Sequence, residues 1–185
     1  MHMLIRVIVP AEDEDEALEK GKEIGDRLTE GPNGISDFDY YKSLDHEPGE
    51  HRVAGADRWG HDIPAVTPLD SEQGEELVEE GWESTQKRFK KGLENCRTVI
   101  QHLSDEEIRE EEYDALPEQA KEEIGSPFDV RGCFQRVAGY TSAYNFLYNR
   151  HGNPIRRRTE LENLKTSVKQ TSDVDLWVIP LDVHH

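Results

Sequence analysis

No run of eighteen apolar residues occurs in the 185-residue chain, which excludes a membrane-spanning helix. Cysteine is scarce: Cys96 and Cys133 stand alone, without CxxC spacing, so neither a zinc ribbon, a redox dithiol nor a disulfide framework is indicated. Both read as small, half-buried apolar residues. Large aliphatics are few as well. Leu, Ile, Val and Phe supply 41 residues, just above the share of roughly 20% below which a highly charged chain tends to stay disordered. A core is expected, but a lean one. Catalytic signatures are missing too: there is no Gly-x-Ser-x-Gly elbow. Gly31-Pro32-Asn33-Gly34 follows a helical pattern instead of opening one, the wrong order for a phosphate-cradling loop.

Positive charge is the other shortage. Lys and Arg number 22 against 40 Asp and Glu, a net charge of -18 spread along the whole chain. Such a surface repels itself at low ionic strength and is relieved when salt shortens the screening length. The expectation is a salt-rich, halophilic cytoplasm; the N-terminal residues, lacking a basic segment and cleavage site, fit a cytoplasmic protein. A mimic of nucleic-acid phosphates is the competing reading of the acidity. Under either, general duplex DNA binding is unfavourable.

The residues that are present outline an α+β chain. Leu4 to Val9 reads as a strand, and Ala17, Gly21, Ile24 and Leu28 give the following segment a helical stripe behind five consecutive acids. Gly21 and Gly25 lie on or beside that stripe, where a missing side chain lets a helix approach a sheet. Residues 35–44 read as a second strand, and residues 45–70 as an irregular loop with a short strand near 51–54. Val78, Trp82, Thr85, Phe89, Leu93, Cys96, Ile100 and Leu103 recur at helical spacing and predict one long amphipathic helix from Ser71 to Leu103. Ser104 with Glu107 makes a capping box that opens an acidic helix to Asp114. Pro117 to Gly125 bounds another helix, and a further one is expected after Pro127 to about Ala138. A strand at 140–148, a turn at His151-Gly152-Asn153-Pro154, a helix opened by Thr159 and Glu162, and an edge strand over 174–183 complete the chain. The expected architecture is a single α+β domain over residues 1–185, with a helical segment at 71–138. Its sheet has four or five largely antiparallel strands and helices on one face, a ferredoxin-like split β-α-β topology being preferred.

Two constellations carry candidate chemistry. His46, His51 and His61 share the irregular loop with Asp45, Glu47, Asp57 and Asp62, and three imidazoles near carboxylates could close on a transition metal. The alternative is solvated loop side chains. The scarce cations are bunched: Lys87, Arg88, Lys90 and Lys91 lie on the long helix, and Arg150, Arg156, Arg157 and Arg158 flank the turn at Gly152. The arginines, together with Trp59, are the candidate contacts for an anionic ligand, Tyr144 and Tyr148 lying near them. Their bland role is pairing with acidic helices, notably residues 105–114.

Function is therefore read as a non-enzymatic binding or regulatory module, taking a protein or a small anion and using no cofactor. The alternative is a small, metal-assisted enzyme acting on an anionic substrate between the 45–70 loop and the 150–158 hairpin. A homodimer is expected, because the apolar stripe from Val78 to Leu103 is longer than a small domain can cover.

Overall fold

The computed structural model describes residues 1–30, 37–51, 53–125, 130–137, 145–171 and 174–184. The chain divides into two compact units, residues 1–84 with 145–185, and residues 85–144.

The first unit is built on a sheet of β1 (His2–Ala11), β2 (Tyr40–Ser43), β3 (Thr67–Pro68), β4 (Leu147–Asn149) and β5 (Asp175–His184). Its order is β2-β5-β1-β4, with β3 beside β5 as well. β5 runs antiparallel to β1 over ten residue pairs, from His2 opposite His184 to Ala11 opposite Asp175. β2 is antiparallel to β5 in turn, so β1 and β2 point the same way with β5 between them. That is a split β-α-β unit, joined by α1 (Glu14–Thr29). The resemblance to a ferredoxin-like sheet ends at β4, which pairs parallel with β1 and makes the sheet mixed.

Two expectations need correction. Helices cover both faces of this sheet. Met3, Ile5, Val7, Val9 and Ala11 pack with Ala17, Ile24 and Leu28 of α1. Ile8 on the opposite face packs with Leu77, Val78 and Trp82 of α3 (Glu72–His102) and Leu161 of α7 (Arg158–Thr171). The sequence of β1 is nearly continuous in apolar residues, the mark of a strand buried on both sides. β5 is also central, although Pro180 suggested an edge. On the side away from β1, β3 pairs only to Val178 and β2 only from Leu181, so Pro180 falls in the gap between them and its missing N–H is not called upon.

α1 begins where Asp13 accepts from the backbone of Glu16. Its glycines act as anticipated: a Cβ on Gly21 would stand 2.7 Å from Ile179 Cγ2, closer than packed carbon atoms tolerate. Gly21→Val should therefore destabilise the fold by about 3 kcal/mol, read from a chemical-denaturation midpoint, because helix and sheet must part to admit it.

In the second unit α3 continues beside α4 (Asp105–Arg109), α5 (Glu118–Ile124) and α6 (Val130–Val137). Ser104 and Glu107 make the expected capping box, and Gly125 closes α5 in the left-handed conformation at φ 73°. The acidic helix is shorter than expected, giving way after Arg109 to a backbone with φ 60° at Glu111. Cys96, Val99 and Leu103 pack with Leu116, Ala120, Ile124 and Val130. The buried line thus follows Val99, while Phe89 and Ile100 are 45% and 61% exposed. Trp82 is buried in the first unit. The stripe that argued for a dimer is largely covered within each unit.

α7 begins at Arg158, with the backbone N–H of Arg156 donating to the Glu160 carboxylate. The Thr159 and Glu162 pair therefore lies inside the helix. Residues 31–36, most of the strand anticipated at 140–148, and Tyr144 are outside the described residues.

Candidate functional site

β1 and β4 lie side by side and parallel, and their continuations part: β1 leads into α1 on one face, β4 into α7 on the other. Where adjacent parallel strands send their helices to opposite faces, a crevice opens beyond their carboxyl ends, and open α/β sheets bind ligands there. Such a crevice, of about 300 Å³, is lined by Val9, Pro10, Lys20, Glu23, Ile24, Arg27, Arg150 and His151.

Local sequence explains each position. Lys20, Glu23, Ile24 and Arg27 follow i, i+3, i+4, i+7 spacing, so they share one helical edge. Lys20 Nζ donates to the Pro10 carbonyl at 2.9 Å and pairs with Glu16 at 2.9 Å, which holds the ammonium against the end of β1. Arg27 meets Glu23 loosely, at 3.8 Å. On the other wall the Asn149 side chain accepts from the backbone N–H groups of His151 and Asn153, and Gly152 takes φ 74°. This tight turn presents Arg150 and His151 at its tip. Arg150 Nε donates to His151 Nε2 at 3.1 Å, leaving its terminal guanidinium nitrogens available. Three cations and one carboxylate thus line the crevice, with Glu16 at its margin on Lys20, in a chain of net charge -18.

Another cavity, about 270 Å³, has Asp70, Glu75 and Asp175 against Lys165 and Lys169, a lining that repels anions. In the second unit a shallower one mixes Lys91 and Arg97 with Glu94 and Glu123.

The arginines anticipated at the turn do not act together. Arg150 enters the crevice. Arg158 instead pairs with Glu79 at 2.6 Å and lies over the Trp82 ring at 5.6 Å; its hydrogen bond holds the Glu79 carboxyl below the usual range. The partner is the long helix, not residues 105–114. Arg157 and Arg156 are exposed near the start of α7. Trp59 packs against Leu4, Leu44 and Ala56, a core role away from the crevice.

The histidines of the irregular loop do gather. His46 and His51 rings lie 4.5 Å apart and His46 and His61 rings 6.0 Å apart. Asp57, on the one-turn helix α2 (Ala56–Trp59), accepts from His61 Nε2 at 2.9 Å and from the backbone N–H groups of Gly49 and His51. This cluster sits over the other end of β1: Gly55 donates to Asp182, which stands opposite Leu4. From Leu4 to Val9 is about 17 Å of strand, so the loop histidines and Arg150 do not frame the shared site that the enzymatic alternative required.

Lys20 and Arg27 escaped the sequence reading because i,i+4 acids beside them resemble ordinary helix pairing. Arg6 and Asp182 escaped it too, although a charge inside an apolar strand is a legible signal. Arg6 is buried, donates to the Leu4 carbonyl and pairs with Glu80 at 2.6 Å. Burial lowers its pKa, opposed by Glu80. Burial, then the nearby Cys133, pushes the Cys96 thiol up, which disfavours its thiolate.

A family model described as Domain of unknown function (DUF7995) matches residues 1–185. The chain belongs to this family. The match takes in both compact units. No curated protein matches the chain, and no solved structure does.

Proposed function

We propose that the chain is a non-enzymatic binding module that holds a small phosphate-bearing anion between the carboxyl ends of β1 and β4. The observation carrying this reading is the crevice lined by Lys20, Arg27 and Arg150 with a single carboxylate, Glu23. A tetrahedral anion there would replace the weak Arg27 contact to Glu23 and engage the free edge of the Arg150 guanidinium, with the Lys20 ammonium as a point charge. Three cations, one carboxylate, an imidazole and apolar carbon make up the lining, a balance that favours holding an anion. The setting is a salt-rich cytoplasm, for which the net charge of -18 is the support. Self-association is the accompanying proposal: Phe89 and Ile100 are eleven residues apart, three helical turns, so two exposed apolar side chains share one face of α3.

Titration calorimetry with inorganic phosphate and pyrophosphate, in about 1 M KCl to suppress nonspecific attraction, tests the reading. Arg150→Gln should weaken binding about tenfold or more, since a charge-assisted hydrogen bond is lost. Lys169→Gln, in the acidic cavity, should leave it unchanged. Equal affinity of Arg150→Gln and the parent protein, or no binding of either anion, would contradict it.

A further inference from the structure

We propose a divalent transition-metal site formed by His46, Asp57 and His61, with His51 at its margin, taking an ion of the zinc class. It stands independently of the anion crevice. The observation that points to a ligand is His46. Its side chain is 7% exposed, and its Nε2 is buried with no hydrogen-bond partner. Nδ1 lies 3.0 Å from the Ser43 carbonyl. A carbonyl only accepts, so Nδ1 carries a proton and Nε2 is the ring nitrogen left for a ligand. A metal-binding imidazole characteristically has its far N–H fixed on a carbonyl in this way.

Asp57 Oδ2 lies 3.8 Å from Nε2. The separation exceeds the roughly 2.7–3.2 Å of a hydrogen bond. It suits a shared cation. Zinc bonds to imidazole nitrogen and carboxylate oxygen are each about 2.0–2.2 Å, so a tetrahedral ion between them needs the two atoms about 3.4 Å apart, and loading draws them together by a few tenths of an ångström. His61 Nε2 is already 2.9 Å from the other oxygen of the same carboxylate. Among the described residues no three such groups already surround one point at ligand spacing. Loading therefore turns His61 off Asp57 and onto the ion, a movement open to a side chain 39% exposed. The loop is shaped to keep His46 where it is. Gly55, at φ 59°, lies so close that a Cβ there would collide with the His46 ring. The Gly55 N–H is itself pinned by Asp182.

Cobalt(II) chloride added to the full chain in about 1 M KCl reads the site directly, because tetrahedral imidazole and carboxylate coordination gives strong visible absorption. One equivalent should bind, and zinc chloride should displace it. His61→Ala should weaken binding at least about tenfold; its exposure lets the fold survive, checked by circular dichroism. His102→Ala, at the exposed end of α3, should bind like the parent chain. Absence of saturable binding, or equal binding by His61→Ala and the parent, would overturn the proposal. So would nitrogen-15 NMR of the metal-free protein showing His46 protonated on both nitrogens, since an imidazolium would then account for the gap.

Discussion

Melting temperature should climb by on the order of 10 °C between about 0.1 M and 1 M KCl, a range over which the screening length falls from about 10 Å to about 3 Å. The net charge of -18 is distributed, not held in a tail. Folding draws those carboxylates together, so repulsion is greater in the folded than in the expanded chain and screening favours the fold. Cations do little to offset it locally. Lys20 with Glu16, Arg109 with Glu106 and Glu110, and Lys121 with Glu118 are surface pairs, each of small net effect. The lean core leaves little margin to absorb the repulsion. A melting temperature that stays flat across this range would contradict the salt-adapted reading and favour another role for the acidic surface.

Asp182→Ala should lower stability by about 3 kcal/mol, the usual scale for breaking a buried, fully satisfied ionic group. Asp182 is completely buried on β5. Both of its oxygens lie 3.0 Å from His2 Nδ1, and Oδ2 accepts from the Gly55 N–H at 2.8 Å. Removing the carboxylate leaves that N–H and the His2 ring without their acceptor, a cost beyond the lost bonds themselves. Asp182→Asn should be milder, since an amide oxygen still serves Gly55. Denaturant midpoints at constant salt check the order. The loop carrying His46 should also become the most readily cleaved segment in limited proteolysis of Asp182→Ala. A change below about 1 kcal/mol would show that the carboxylate does not anchor the loop.

Local rules made much of the fold legible. α1, its acidic first turn and its two close-approach glycines follow from residues 12–28, and α3 begins and ends within one residue of its periodic pattern. The split β1-α1-β2 unit was anticipated as well. What failed depends on tertiary context. β1 and β5 are apolar on both faces, yet an apolar run does not say which neighbours cover it, and the parallel partner β4 is only three residues long. The phase of α3 slipped from Ile100 to Val99 because both are apolar and only α4 to α6 decide between them. For the sites, bunching in sequence was half informative. His46, His51 and His61 lie in one loop and do meet at Asp57. The arginines of residues 150–158 scatter, whereas Lys20 and Arg27 reach Arg150 across more than a hundred residues, a closeness set by the pairing of β1 with β4.

Nitrogen-15 NMR of the full chain titrated with pyrophosphate in about 1 M KCl tests the anion crevice most directly, because it locates the ligand as well as detecting it. Saturable shifts should concentrate at Val9 to Ala11, at Lys20 to Arg27 and at Arg150 to Gly152, with the loop around His46 undisturbed. Shifts spread over exposed lysines and arginines without saturation, or centred at Lys165 and Lys169, would contradict the account.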